Sequence, residues 1–257
     1  MNRHARIIAM LLLLAAAFPA AQGQINTERF RRATQKKGFE GNLDLDLTLM
    51  TGNTDFRLIG LNSRLNFNWT TAYTFLVLNG GIGWSSGDRF MDQNTAHLRH
   101  VFLLSSRLQN EWFVQFDSNR KRHLSGRELA GAGLRLKMLT SQLAKLRLGA
   151  AWMYEREHYD LAAGNHHPRV QKTHRLSTYA TWELGREGGL SLLSVTYFQP
   201  ALNGWRDNRI LSENALAMDL TTFLALKLGF TLRRDSRPPD GVKKLDTITK
   251  TTLSVRF

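Results

Sequence analysis

From Gly38 to the last residue, Phe257, apolar and polar side chains alternate with a period of two. Few features narrow the fold of a chain as far. In the first such run Leu43, Leu45, Leu47 and Leu49 share one face, and Asn42, Asp44, Asp46 and Thr48 share the other. The next run sets Ile59, Leu61, Leu65, Phe67 and Trp69 against Gly60, Asn62, Arg64, Asn66 and Asn68. Successive side chains of a strand point to opposite sides of its sheet. Strict alternation therefore puts one face in apolar surroundings and the other in polar ones. The segments around Leu134, Leu148, Leu226 and Leu253 repeat the pattern.

Twelve strands follow, over residues 39–51, 55–69, 72–85, 95–105, 111–120, 127–139, 143–157, 171–184, 189–199, 209–220, 223–235 and 245–257. The pattern blurs in the fourth, where His97 and Arg99 lie on one face and His100 on the other. A soluble barrel alternates too, with its apolar face inward. Length separates the two cases: most of these runs reach about 11–15 residues, against about 9–11 for a membrane-crossing strand and 5–6 for a soluble one. The expected fold is all-β, an antiparallel up-and-down transmembrane β-barrel of twelve strands.

The connections point the same way. The even-numbered ones are short (70–71, 106–110, 140–142, 185–188, 221–222), whereas 86–94, 121–126, 158–170, 200–208 and 236–244 are longer and polar. Only the odd-numbered turn Gly52-Asn53-Thr54 is tight. Short periplasmic turns and long outer loops mark bacterial outer-membrane barrels with both termini inside. Trp69, Tyr73, Trp84, Trp112, Trp152, Tyr154, Trp182, Trp205 and Phe223 fall near strand ends, where amphipathic rings favour the headgroup level. Phe257 closes the last alternating run, as expected of a signal read by barrel-insertion machinery.

The N-terminus supplies the route. Arg3, His4 and Arg6 precede an apolar run, Ile7 to Phe18, that is too short to span a membrane as a helix. Ala21-Gln22-Gly23 then offers a cleavage site. The expected organisation is a signal peptide at 1–23, a basic periplasmic lead at 24–37 and a barrel at 38–257, in the outer membrane of a Gram-negative-type envelope. The chain has no cysteine, hence no disulfide and no lipid-anchoring thiol. Its formal charge of +14 becomes +12 once Arg3 and Arg6 are removed. Export excludes nucleic acid as the partner of that charge. Outer-membrane lipids, lipopolysaccharide phosphates and anionic solutes remain.

Two stretches carry a resemblance, "GNLDLDLTLMTGNTDFRLIGLNSRLNF" and "GRELAGAGLRLKM". The GNT turn between an amphipathic strand and its return, followed by a glycine-rich R-x-L-x-G-x-G-L strand, resembles the salt-induced outer-membrane protein family. That family is a β-barrel domain of unknown function, and the resemblance spans about residues 38–257. It implies fold and location, and no functional residue.

Catalytic signals are weak. In Asp117-Ser118-Asn119-Arg120 the Ser-Asn pair is similar to an outer-membrane phospholipase motif, but Asp117 stands in place of the base and Arg120 in place of the glycine. A serine without a base in reach is not a nucleophile. His158, Asp160, His166 and His167 lack the spacing of a metal site. The expectation is no enzyme, no metal and no cofactor.

Two sets of charges remain. Arg89, Arg120, Lys121, Arg122, Arg169, Arg206, Arg209, Arg237, Lys243 and Lys244 fall in or beside outer loops, as a rim for lipopolysaccharide phosphates. Asp44, Asp46, Arg64, Asp117, Arg135, Lys137, Lys145, Arg147, Arg175, Lys227 and Arg233 lie on polar faces and are expected to line the lumen. If Asp44, Asp46 and Asp117 pair with the cations of strands six and seven, the barrel is sealed and structural. If those cations stay unpaired, it is a narrow anion-favouring channel. A lipid-modifying enzyme is the third alternative.

Overall fold

The computed structural model describes residues 37–185, 189–221 and 223–255. The predicted signal peptide, all of the basic lead but Lys37, and the terminal Phe257 lie outside them. Twelve strands form: β1 (Gly38–Met50), β2 (Phe56–Asn68), β3 (Ala72–Ser85), β4 (Asp88–Leu103), β5 (Leu108–Asn119), β6 (Leu124–Thr140), β7 (Ala144–Tyr159), β8 (Val170–Gly185), β9 (Leu190–Ala201), β10 (Gly204–Asp219), β11 (Leu224–Asp235) and β12 (Leu245–Val255). They make one sheet in sequence order. Neighbouring strands run antiparallel throughout, as in β1 with β2 and β11 with β12. Among the described residues the one helical element is a single 3-10 turn, Arg120–Arg122.

The sheet is rolled. Flat neighbours are spaced about 4.8 Å apart, so β10 would lie about 14 Å from β7. Yet Arg209 on β10 reaches Glu155 on β7 at 2.8 Å. Asn165 and His166, before β8, likewise bond Asp240, before β12. We call the end bearing the turns after β1, β3, β5, β7, β9 and β11 the odd end, and the opposite end the even end.

The rolled sheet answers the question that alternation left open: its apolar face points outward. Leu45 is 73% exposed, Trp112 59% and Phe116 58%, and Leu98, Leu134, Phe230 and Leu253 are exposed on the same side. The inner face buries Arg99, Glu111, Asp117, Arg127, Glu155, Glu157, Arg175 and Arg209. Between them lies an apolar middle layer of two clusters, Phe113, Leu129 and Met153 in one and Tyr179, Val195, Tyr197 and Leu211 in the other. The alternation blurs in β4 because His100 lies on the face opposite the buried His97 and Arg99, where it bonds Thr74 at 2.7 Å and packs against Phe102. β1 and β12, at the ends of the sheet, are largely exposed on both faces.

The loop expectation needs correcting. β4 begins at Asp88 rather than at 95, and residues 86–94 are mostly strand. The turn is Ser86-Gly87, with φ of 50° and 87°, the paired positive values that suit the twist of a tight hairpin. β10 likewise begins at Gly204, so residues 200–208 keep only a turn at Leu202-Asn203 and a bulge before Asn208. Both extensions carry ladder hydrogen bonds without apolar alternation, because polar surroundings on both faces demand no apolar side. Two long odd loops remain, 160–169 and 236–244.

Candidate functional site

The interior of the odd half is built from register. Antiparallel pairing sets Asp117 on β5 opposite Arg127 on β6, and the guanidinium donates to that carboxylate at 2.7 and 3.0 Å. Thr95 (2.9 Å) and Gln115 (2.6 Å) donate to the same carboxylate. Next on the inner face come Glu155 and Glu157 of β7. Arg175 Nε donates to Glu155 Oε1 at 2.5 Å, and its Nη1 to Asp207 Oδ1 at 2.9 Å. Arg209 is the hub: Nη1 meets Glu155 Oε2 at 2.8 Å, Nη2 meets Glu157 at 2.8 Å, and Nε meets Asp235 at 3.1 Å. These side chains are almost wholly buried. A buried charge is tolerated only when paired and hydrogen-bonded, and here each guanidinium is forked between carboxylates or bidentate to one.

Below this lies the middle layer. Arg99 sits over the Phe113 ring, 4.7 Å from its centroid, and donates to Glu111 Oε2 at 2.7 Å. Tyr179 reaches Glu111 at 3.4 Å from β8. Arg135 donates to Gln109 at 2.8 Å and stands 3.9 Å from Glu111. Two enclosed cavities in this layer measure about 30 and 10 Å³, room for a water or two.

Toward the even end the charges change character. Lys137 on β6 lies directly opposite Arg147 on β7. Lys145 and Arg147 share one carboxylate, Glu183 of β8; Lys145 Nζ lies 3.4 Å from it and Arg147 is closer.

The expected lumen residues do share the inner face, but not the expected partners. Asp117, Arg135, Arg175 and Arg233 are buried. Lys137, Lys145, Arg147 and Arg64 are half-buried, and Asp44, Asp46 and Lys227 are exposed. Asp44 accepts from Asn42 and Asp46 from Asn62, while Asp117 pairs with Arg127 of β6, which was not among the expected cations. Of the expected ones, Arg135 stands 3.9 Å from Glu111, and Lys145 and Arg147 share Glu183. Arg209, read as a rim cation, is inside, because β10 starts before it. Arg99, Arg127, Glu155, Glu157 and Asp207 were not among the residues expected to line the lumen. A signal existed for two of them, since Glu155 and Glu157 continue the odd-numbered parity of Lys145 and Arg147 along β7.

The other rim cations surround the odd end. Arg120, Lys121 and Arg122 form the 3-10 turn, Arg169, Arg237, Lys243 and Lys244 lie in the two long loops, and Arg89 and Arg206 are on strands. Arg89 pairs with Asp92 at 3.0 Å. Three outward cations were missed: Arg156 and Lys172, opposite each other on β7 and β8, and Arg234 on β11. Below them, His174 packs against Trp152 and Tyr154, at 5.6 and 5.1 Å between ring centroids.

Ser118 faces outward and accepts from Asn94 at 3.4 Å, while its neighbour Asp117 is occupied by Arg127. His166 bonds Asp240 through both its backbone N–H and its ring. Those two bonds hold the Asp240 carboxyl below the usual carboxylate range. Among the described residues no group of three or more His, Asp and Glu side chains could hold a metal ion.

The chain matches a family model described as a protein of unknown function, DUF481, over residues 43–257. No curated protein matches it.

Proposed function

Because the chain belongs to this family of unknown function, we propose a role from its own geometry: an outer-membrane barrel sealed by internal ion pairs, structural in the envelope, with outward cations at the odd end that hold lipopolysaccharide phosphates. The exposed apolar face supports the membrane part. So large an apolar surface marks contact with lipid or a partner rather than with water. Trp69, Trp112 and Trp182 toward the even end, and Trp84, Tyr154 and Trp205 toward the odd end, suit the two interfaces of a bilayer.

The observation that carries the sealed reading is the hub at Arg209. One guanidinium ties β7, β10 and β11 together across the interior, with Arg175 and Arg127 beside it. The two cavities beside this network measure about 30 and 10 Å³, room for a water or two. No enzymatic role is part of the proposal: Ser118 accepts from Asn94, and its neighbour Asp117 is engaged by Arg127.

Purified protein in a planar bilayer tests this. Sealed, it is electrically silent, while lipopolysaccharide binds it and is released by salt. Stepwise conductance overturns the sealed reading. Chloride-favouring conductance that reverses in Arg135→Glu/Arg147→Glu puts the anion channel in its place.

A further inference from the structure

The interior holds two charge clusters of opposite balance. In the odd half three guanidiniums, of Arg127, Arg175 and Arg209, meet five carboxylates, of Asp117, Glu155, Glu157, Asp207 and Asp235. Toward the even end Lys137, Lys145 and Arg147 crowd together around Glu183. Residues directly opposite in an antiparallel pair have Cβ atoms about 4.5–5.5 Å apart, and like charges there destabilise the sheet. Lys137 and Arg147 are such a pair. Arg147 has an outlet in Glu183, which it shares with Lys145. The Lys137 side chain has no hydrogen-bond or ion-pair partner among the described residues, and the residue is only half-buried.

Nothing in the packing requires cations here. Elsewhere the same inner face uses neutral polar groups, such as Gln109 and Ser177. The floor above the cluster is closed: Tyr179 lies over Gly149 and reaches Glu111, and Arg135 is held by Gln109. The cluster thus lies half-buried on the inner face at the even end, beneath this layer.

We propose that this cluster binds a small multiply charged anion, a solute bearing phosphate or several carboxylates, with Lys137, Lys145 and Arg147 as its ligands. Arg147 supplies a planar fork for two oxygens, and the lysines supply movable point charges. The bound anion relieves the repulsion that the empty site stores. The site is separate from the outward rim and does not rest on the lipopolysaccharide reading.

Isothermal titration of the detergent-solubilised full chain with inorganic pyrophosphate, at constant ionic strength in chloride, tests it. Saturable binding is expected, weakened at least about ten-fold by Lys137→Gln and retained in Lys137→Arg, which keeps the charge. The outward double variant Arg156→Gln/Lys172→Gln binds as the parent does. Without pyrophosphate, Lys137→Gln unfolds at a higher urea concentration than the parent, since it removes one of two facing like charges. The absence of saturable heat overturns the proposal. So does binding that survives Lys137→Gln unchanged, or that disappears in the outward double variant.

Discussion

Arg122, in the turn after β5, donates to Asp246 on β12 at 3.2 Å, although six strands separate them in the sheet. Rolling the sheet brings them together, but their energetic weight is small. Asp246 is half exposed, and a pair open to solvent contributes about 0–1 kcal/mol. Arg209 closes comparable distances from a fully buried position.

Arg209→Met should therefore cost far more than Arg122→Ala. It strands Glu155, Glu157 and Asp235 without their shared counter-ion, and breaking a buried pair from one side costs about 3–5 kcal/mol. Arg122→Ala should stay within about 1 kcal/mol. Urea unfolding in lipid vesicles, followed by tryptophan fluorescence, measures both. Equal losses would show that the interior network carries no special weight.

Gly149 leaves the space that Tyr179 fills. A Cβ at position 149 would overlap the phenol ring. Gly149→Ala should push the ring away from Glu111 and lower stability by about 1–3 kcal/mol, as overpacking does. In a Tyr179→Ala background the same change should cost little, so the two effects are strongly non-additive. Additive losses in the double variant would argue that the two residues do not touch.

On β11 the two faces make opposite demands. Leu228 points outward at mid-strand and Lys227 inward. Leu228→Arg should cost about 2–4 kcal/mol in a bilayer, the depth-dependent penalty of a charge facing lipid. Lys227→Leu should be mild. A costlier change at 227 would reverse the assignment of inside and outside.

Much of this architecture was legible in the chain. Strands such as β1 and β6 announced themselves through clean alternation, because one face meets apolar surroundings along most of their length. The strands β4 and β10 were cut short where they leave those surroundings, since hydrogen bonding continues there without a pattern in the side chains. The site was half legible. Parity placed Arg135, Arg175 and Arg233 on the inner face, but pairing depends on which strands meet across the roll. Arg209 and Glu155 lie three strands apart, so nothing local linked them. Glu183 was missed as the partner of Arg147 because their contact follows from the register between β7 and β8.

The contact between the two long loops should be unusually acid-resistant. The His166 bonds depress the titration of Asp240 below its ordinary value of 3.8. A carboxyl with a depressed folded pKa stabilises its contact above the unfolded value, and the contribution is lost only as pH falls through the lower, folded value. Carbon NMR of the Asp240 carboxyl should give a midpoint below the usual carboxylate range, moving up in His166→Ala. A midpoint at or above the usual value would mean that the loops do not hold each other in solution.

In the proposed outer-membrane setting, the tight turns at Ser86-Gly87 and Leu202-Asn203 also decide what a visitor to the cell could touch. With those hairpins cut close, the longest segments at the odd end are 160–169 and 236–244, tied together through His166 and Asp240. In an envelope, an antibody or a phage tail fibre would meet these two segments as one composite epitope. Variation selected by such visitors would then concentrate in them, while the hairpins stay too short to vary.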